Sequence, residues 1–249
     1  MHKLLFVDLD DTLFHSHNKR QPDTHDVALA YLQDGSAISY ANQKQMTMLK
    51  FWQESHVMIP VTARNRNAFE RVAIEFKHGA VINYGGIVLQ ADGSLDEAWS
   101  QQSQAHARHS EPILQVLLDY LNSLIQTTEY SSLHARIISD VGIAFYVLLK
   151  SKTGDLVQVA QVTHMVKQFL AQEGWTEYQV HHNGNNLAIM PPWLNKRHGV
   201  RYLLAQWQQR GEVVSFGMGD SVIDLGFMNE CDYLMVPNPS QIVSQRMDV

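Results

Sequence analysis

A short apolar segment near the start of the chain, Leu4–Val7, runs directly into Asp8, Asp10 and Asp11. A segment of this kind is typical of a central parallel strand that is covered on both faces. Carboxylates at its end are costly to bury unless they are paired or bind a metal. Ligands of open α/β sheets bind at the carboxyl ends of the strands. The segment therefore predicts a parallel α/β sheet with an ion or ligand site at the end of its first strand.

Strand and helix patterns alternate at both ends of the chain. After the first strand we expect a helix over 42–54, a strand over 57–61, a helix over about 66–77 and a strand pair around Gly85 and Gly86. Towards the C-terminus we expect a helix over about 197–210, strands in EVVSFGM and YLMVP, and a short last helix. Residues 14–41 are polar and contain Pro22 and Gly35, so we expect an irregular excursion with a short helix near Val27–Leu32.

The middle of the chain has a different order of predicted helices and strands. A helix over 111–126 is followed by the strands HARIIS and IAFYVLLK, with DVG as the turn. A second helix, capped by Asp155 and ended by Gly174, precedes the strands TEYQVHH and NLAIMP. The dipeptide Asn183-Gly184, which favours two-residue hairpin turns, joins those two strands. The segment therefore predicts an αββαββ unit with an antiparallel sheet.

These patterns together predict an α/β fold: a doubly wound, mostly parallel Rossmann-like sheet with an inserted α+β domain. The core would consist of residues 1–90 and 191–249, and the inserted domain of residues 91–190. The 249 residues are enough for two such parts.

Composition excludes several classes of function. The hydrophobic and charged fractions, 45% and 18%, are those of a globular protein. The net charge of −6 gives no electrostatic footprint for nucleic acid or an acidic membrane. The single cysteine, Cys231, cannot form an internal disulfide, the first residues lack a signal-segment pattern, and no apolar run approaches the ~20 residues that span a bilayer. We expect a cytoplasmic protein with no nucleic-acid or membrane partner, and the sequence leaves its oligomeric state open.

Four groups of polar side chains follow predicted strands or begin a predicted helix: Asp8 with Asp10 and Thr12; Thr62; Lys196; and Asp220 with Asp224. Side chains alternate along a strand, so Asp8 and Asp10 can face one site. Mg²⁺ binds to carboxylates together with phosphate oxygens. A lysine and a threonine hydroxyl complement the charge of a phosphoryl group. Beside Mg²⁺, Asp8 can act as a nucleophile in phosphoryl transfer.

The motifs DLDDT, VTAR, NK and GDSVID resemble, in order, the DxDxT, second, lysine and acidic motifs of the haloacid dehalogenase (HAD) superfamily of phosphatases. The αββαββ segment falls where that superfamily carries its C2B-type cap. This arrangement is similar to that of the sucrose-phosphate phosphatase, trehalose-phosphate phosphatase, phosphomannomutase and Cof-type group. The resemblance implies a Mg²⁺-dependent phosphoric monoester hydrolase acting on a small phosphorylated metabolite, such as a sugar or polyol phosphate.

The resemblance also implies roles for individual residues. Asp8 would be the nucleophile that forms an aspartyl-phosphate, and Asp10 the acid that protonates the leaving alkoxide and then the base that activates water. Thr62 would hydrogen-bond the transferring phosphoryl group, and Lys196 would neutralise its charge. The metal ligands would be Asp8, the backbone carbonyl of Asp10, Asp220 and Asp224.

Weaker matches supply candidate substrate-binding residues. Thr12 would support the turn after the first strand and lie next to the substrate. Arg64 is either structural or reaches a substrate oxygen. Asn183, in the hairpin of the inserted domain, and Asn238, in the loop VPNPS, are the other two candidates. Asp11 matches no invariant position of the family, and the sequence assigns it no role.

Plainer interpretations of the same residues stay open. Asp8 and Asp10 can be solvated residues of a turn, Thr62 can be the N-cap of the next helix, and Lys196 a solvated charge in a first helical turn. Asp224 can be a first-turn acid that favours the helix dipole. For the whole chain, the alternatives are a phosphomutase of the phosphomannomutase type and a catalytically silent binding module with this fold.

Overall fold

The computed structural model describes residues 1–17 and 19–246. The strands are β1 (His2–Val7), β2 (His15–Ser16), β3 (Val27–Tyr31), β4 (Ala37–Ala41), β5 (Val57–Pro60), β6 (Ala80–Ile82), β7 (Ile87–Leu89), β8 (Leu133–Asp140), β9 (Ile143–Ser151), β10 (Gln179–Asn183), β11 (Asn186–Met190), β12 (Val213–Met218) and β13 (Tyr233–Met235). The helices are α1 (Gln43–Ser55), α2 (Arg66–Phe69), α3 (Glu97–Ile125), α4 (Leu156–Gln172), α5 (Lys196–Gln208), α6 (Leu225–Met228) and α7 (Gln241–Arg246). The chain forms two compact units, Met1–Ser100 with Asn195–Val249, and Gln101–Leu194.

The first unit contains a parallel sheet with the strand order β13-β12-β1-β5. Strand β1 is central, pairing with β12 from His2 opposite Val213 to Val7 opposite Met218, and with β5 on its other side. Its last four residues are fully buried, because helices and loops cover both faces. The expected α/β fold with a mostly parallel sheet is confirmed. Asp8 is the first residue after β1.

Helices α1 and α5 of the first unit start at side-chain caps. Asn42 and Gln45 form a capping box at the start of α1, which agrees with the expected helix over 42–54. Asn195 caps α5 by accepting a hydrogen bond from the Arg197 backbone. Helix α5 buries Val200, Leu203 and Leu204, and Gly199 lies so close to Val81 that a Cβ atom would be 2.6 Å from its Cγ1. These contacts fix the start of α5, which carries Lys196.

The expected helix over 66–77 is wrong beyond its first turn, since α2 ends at Phe69. The backbone that follows pairs with β3 instead. The Ala73 N–H donates to the Leu29 carbonyl at 2.8 Å, and the Tyr31 N–H donates to the Arg71 carbonyl at 3.2 Å. Sheet hydrogen bonds therefore replace helical ones in this segment.

Residues 14–41 also differ from the expectation of an irregular segment with a helix near Val27–Leu32. They form a small antiparallel sheet with the order β2-β4-β3. The turn between β3 and β4 is closed by Asp34, which accepts hydrogen bonds from the Ser36 backbone and hydroxyl at 2.9 and 2.6 Å. Strand pairing with β4 and with residues 71–73 explains why Val27–Tyr31 is extended. We call residues 15–17 and 19–41 the flap.

The strand pair β6–β7 forms around Gly85 and Gly86, as expected. Three consecutive residues between these strands, Asn83, Tyr84 and Gly85, have φ values of 53°, 56° and 92°. Two of them are non-glycine residues in the left-handed region, which is uncommon. The Gly85 position leaves no room for a side chain, because a Cβ atom would collide with the Asn195 carbonyl oxygen.

The second unit has the expected element order, αββαββ, with the sheet order β10-β11-β9-β8. Helices α3 and α4 pack Leu114, Leu117, Val162 and Val166 onto this antiparallel sheet. Asp155 caps α4 through the backbone N–H groups of residues 157 and 158, as expected.

Two details of this unit differ from expectation. Helix α3 begins at Glu97 rather than near residue 111, and Pro112 lies inside it. Asn183 pairs with Asn186, so the two-residue turn between β10 and β11 is Gly184-Asn185 rather than Asn183-Gly184. Within residues 1–17 and 19–246, no helix is long and apolar enough to cross a membrane.

Candidate active site

The turn after β1 brings Thr12 back to the end of the strand. The Asp8 N–H donates to the Met218 carbonyl at 2.8 Å, which continues the pairing of β1 with β12. The N–H groups of Thr12, Leu13 and Phe14 then all converge on the carbonyl of Leu9. The Thr12 hydroxyl consequently lies 3.5 Å from Asp8 Oδ2 and 3.4 Å from Asp220 Oδ1. Thr12 thus links the first and last acidic motifs.

Lys196 joins the other acidic residues. Its Nζ donates to Asp8 Oδ1 at 2.6 Å and to Asp224 Oδ1 at 2.7 Å. Its side chain is 4% exposed, so it is not the solvated charge that a lysine in a first helical turn usually is. Burial lowers the pKa of Lys196, but attraction to Asp224 and Asp8 outweighs it and raises the pKa above the usual value.

Asp224 is fully buried and held through both oxygens. Its Oδ2 accepts hydrogen bonds from the Ser221 backbone and hydroxyl at 3.1 and 2.5 Å, and its Oδ1 accepts from Lys196. Gly219 makes this packing possible, because a Cβ atom there would lie 2.5 Å from Asp224 Cβ. These contacts differ from those of a solvated acid at a helix start.

The carboxylates of Asp8, Asp220 and Asp224 each offer an oxygen, and these oxygens all lie within 4.8 Å of one another. Burial raises the pKa of Asp220 to about 6, and the charge of Asp224 adds to the effect. Burial also raises the pKa of Asp8 well above its usual value, although Lys196 opposes this shift. The cluster has three carboxylates and one ammonium group, that of Lys196, so negative charge is in excess. An all-oxygen donor set of this charge fits a hard divalent cation such as Mg²⁺.

Thr62 follows β5, the strand that pairs with β1, and is 1% exposed. Its N–H donates to the Val81 carbonyl at 2.9 Å, and its carbonyl accepts from the Tyr84 N–H at 3.1 Å. Its hydroxyl accepts from the Arg64 N–H at 3.2 Å. The N-cap of α2 is Asn65 rather than Thr62. The Thr62 hydroxyl keeps its own proton available for donation.

Arg64 binds Asp10 through two hydrogen bonds. Arg64 Nε lies 2.8 Å from Asp10 Oδ2, and Nη2 lies 2.7 Å from Asp10 Oδ1. A third donor, Nη1, reaches the Ala68 carbonyl at 3.3 Å. The Arg64 side chain is 15% exposed and that of Asp10 45% exposed. Asp10 therefore faces a cation, and its side chain is not one of the three that form the carboxylate cluster.

The two asparagine candidates come from other elements of the chain. Asn183 is the last residue of β10 in the second unit. Asn238 is exposed in the loop between β13 and α7, where it precedes a cis-proline. Their roles as substrate-binding residues stay predictions.

Sequence reasoning missed two further residues of the site. Lys19 of the flap forms an ion pair with Asp11, the acid that the motif comparison left without a role. Tyr84 is half-buried, and burial of its hydroxyl raises its pKa to about 12, with further effects from the charges of Lys196 and Asp8. The sequence carried no signal for Lys19, because the turn after β2 places it.

Comparisons with known proteins give a fold and no close relative. No protein-family model matches the chain. No curated protein sequence matches it either. Solved structures do match. Sucrose-phosphatase from Synechocystis sp. PCC6803, in complex with sucrose and phosphate, is 18% identical, with a TM-score of 0.56 over 100% of this chain and 88% of that chain.

Two other solved structures are similar. The trehalose-6-phosphate phosphatase C-terminal domain from C. albicans is 14% identical, with a TM-score of 0.55 over 92% of this chain and 72% of that one. A Thermoplasma acidophilum protein is 12% identical, with a TM-score of 0.53 over 100% of this chain and 99% of its own. The chain has the HAD fold. The resemblance seen in the four motifs is thereby confirmed at the level of the fold.

Proposed function

We propose that this protein is a Mg²⁺-dependent phosphatase that hydrolyses a small sugar or polyol phosphate through a phosphoryl group carried on Asp8. The observation that carries the proposal is the buried contact of Lys196 Nζ with Asp8 Oδ1 and Asp224 Oδ1, beside the carboxylate of Asp220. One ammonium group cannot neutralise three carboxylates, and a metal ion can supply the missing positive charge. With the metal bound, the site can accept a phosphate dianion.

The two oxygens of Asp8 have different tasks in this proposal. Oδ1 is engaged by Lys196 at 2.6 Å, whereas Oδ2 has the long 3.5 Å contact with Thr12. We assign the attack on phosphorus to Oδ2. A bond forms between Oδ2 and phosphorus while the bond from phosphorus to the leaving alkoxide breaks. Water then attacks the same phosphorus and releases Asp8 and inorganic phosphate.

Asp10 is assigned the proton transfers. It lies two residues after Asp8 and is far more exposed, which suits a group that must meet both the leaving alkoxide and water. Arg64 binds both of its oxygens. Asp10 must therefore release at least one Arg64 N–H group before that oxygen can exchange a proton with the substrate.

The remaining residues would stabilise the negative charge of the phosphoryl group. Mg²⁺ would be held by the carboxylates of Asp8, Asp220 and Asp224, and it would supply positive charge that offsets the charge of the phosphoryl group. Lys196 orients Asp8 and adds a fixed positive charge. The Thr62 hydroxyl would donate to a phosphoryl oxygen while it accepts from the Arg64 N–H.

The substrate class is supported by the names of the similar structures. Two of them are sugar-phosphate phosphatases, a sucrose-phosphatase and a trehalose-6-phosphate phosphatase. Because the identities are 18% and 14%, they support a class of substrate and no individual sugar.

The test is release of inorganic phosphate from a panel of sugar, polyol and simple alkyl phosphates, with and without Mg²⁺. We expect Mg²⁺-dependent turnover by the wild type and loss of turnover in Asp8→Asn. Asp119→Asn, which changes an exposed acid on α3, is the matched control and should behave as the wild type. Turnover near the wild-type rate in Asp8→Asn would remove Asp8 from the mechanism.

A further inference from the structure

A second ion pair lies in the turn that follows the proposed nucleophile. Lys19 pairs with Asp11, which follows Asp10 in the turn after β1. The φ of Asp11 is 65°, a backbone conformation that non-glycine residues seldom adopt outside functional sites and tight turns. Both charges act on Asp220: after burial and Asp224, which raise its pKa most, Asp11 raises that pKa and Lys19 lowers it. The next residue, Thr12, places its hydroxyl 3.5 Å from Asp8 Oδ2 and 3.4 Å from Asp220 Oδ1, so the turn that carries Asp11 borders the active site.

The flap holds Lys19 in place. The N–H groups of Lys19 and Arg20 donate to the Ser16 carbonyl at 3.0 and 3.2 Å, which closes the turn after β2. Arg20 Nη2 lies 3.2 Å from Asp26 Oδ2, and the Asp26 side chain is 1% exposed. The turn that carries Lys19 is thus anchored to a buried carboxylate.

Lys19 is the accessible cation of the three described at this site. Lys196 is 4% exposed and lies between two carboxylates, and Arg64 is 15% exposed and bound to Asp10. The Lys19 side chain is 58% exposed. An exposed ion pair contributes little to stability, so exchanging its direct contact for contacts with a ligand costs little.

We propose that Lys19 and Asp11, which we call the rim pair, recognise hydroxyl groups on the leaving group and thereby select polyhydroxylated phosphate esters. This inference rests on the phosphatase activity proposed above. An ammonium group only donates hydrogen bonds, and a carboxylate only accepts them. Neighbouring hydroxyl groups can accept from Lys19 and donate to Asp11 at once. An unsubstituted alkyl group can do neither.

The test compares two esters whose leaving groups are both alcohols and differ in their hydroxyl groups. One is ethyl phosphate, and the other is whichever of glucose 6-phosphate, fructose 6-phosphate and sorbitol 6-phosphate the wild type hydrolyses with the highest kcat/KM. The readout is the ratio of kcat/KM for the polyhydroxylated ester to that for ethyl phosphate. We expect Lys19→Ala to lower this ratio about tenfold, as for a lost hydrogen bond. Asp11→Asn should lower it by a smaller factor, because the amide oxygen still accepts a hydrogen bond but carries no charge.

Lys19→Arg keeps the donors and should retain most of the ratio. Lys50→Ala breaks another exposed pair, with Glu54 at 3.9 Å, and should leave the ratio unchanged. Melting temperatures of all variants show whether each is folded. An unchanged ratio in folded Lys19→Ala and Asp11→Asn would overturn the rim pair while the phosphatase activity stands. Equal losses on both esters would also overturn it, since they would place Lys19 on the phosphoryl group. A wild type that hydrolyses no ester would refute both proposals.

Discussion

The Lys196 ammonium lies 2.6 Å from Asp8 Oδ1, although 188 residues separate the two in the chain. The contact joins the end of β1 to the start of α5. The same nitrogen reaches Asp224 Oδ1 at 2.7 Å, and all three side chains are at most 8% exposed. Removing the lysine would leave two buried carboxylates without their cation. Lys196 is therefore structural as well as part of the proposed chemistry.

Lys196→Met should lower the free energy of unfolding of the metal-free protein by about 3–5 kcal/mol at pH 7, the usual cost of breaking a buried ion pair from one side. Chemical denaturation measures this change. Lys50→Met, which breaks the exposed pair with Glu54, should cost less than about 1 kcal/mol. Similar losses in the two variants would contradict the buried contact.

In the metal-free protein, the contribution of Asp220 to the free energy of unfolding should fall as the pH rises from about 4 to above 6. The pKa of Asp220 is raised to about 6, mainly by burial, so between its unfolded and folded pKa values the folded state binds more protons than the unfolded state. The stabilising protonated form is fully present below this window and is lost above it. Thermal unfolding in EDTA, compared between the wild type and Asp220→Asn, measures this contribution.

Mg²⁺ should reverse this loss of stability with rising pH, because it binds the deprotonated carboxylates. The stabilisation by Mg²⁺ should be larger at pH 8 than at pH 5 and should be weakened in Asp220→Asn. A wild type whose Mg²⁺ stabilisation is equal at both pH values, or equal to that of the variant, would argue against Asp220 as a ligand.

Gly85→Ala should destabilise the protein by about 2–4 kcal/mol, because strain at a φ of 92° adds to a collision with the Asn195 carbonyl. Gly93→Ala is the matched control, since Gly93 has a φ of 80° and open space around it. It should cost about 1 kcal/mol, from strain alone. Because Asn195 precedes Lys196, Gly85→Ala should also lower turnover more than Gly93→Ala. Equal effects of the two changes on stability would contradict the close approach.

Local signals were enough to predict most of the core and the convergence of the acidic motifs. Leu4–Val7 reads as a buried strand, and carboxyl ends of parallel strands share one edge of a sheet. Asp8 and Asp220 therefore had to approach each other wherever β1 and β12 became neighbours. The start of α5 was predicted within one residue, but the burial of Lys196 depends on the packing of Asp224 against Gly219, which local sequence does not reveal.

The errors arose where long-range pairing outweighed local preference. Residues 71–73 follow a helical start, yet their backbone pairs with β3. The segment Val27–Tyr31 is too short and too uniformly apolar for its periodicity to distinguish helix from strand. The first part of α3 lacks an apolar face, because it buries Ser103, Ala107 and Ser110 rather than large side chains. Small buried residues leave little hydrophobic periodicity to detect.

The central claim is that Asp8 carries the phosphoryl group, and trapping that group tests it most directly. Asp10→Asn should accumulate it with p-nitrophenyl phosphate and Mg²⁺, because this leaving group needs little protonation while the attack of water lacks its base. Acid-quenched protein is digested and analysed by mass spectrometry. We predict the mass of one phosphoryl group on the peptide that contains Asp8, and none in Asp8→Asn. Steady turnover by the wild type with no phosphoryl group on Asp8 in the Asp10→Asn trap, or with the group on another residue, would contradict the account.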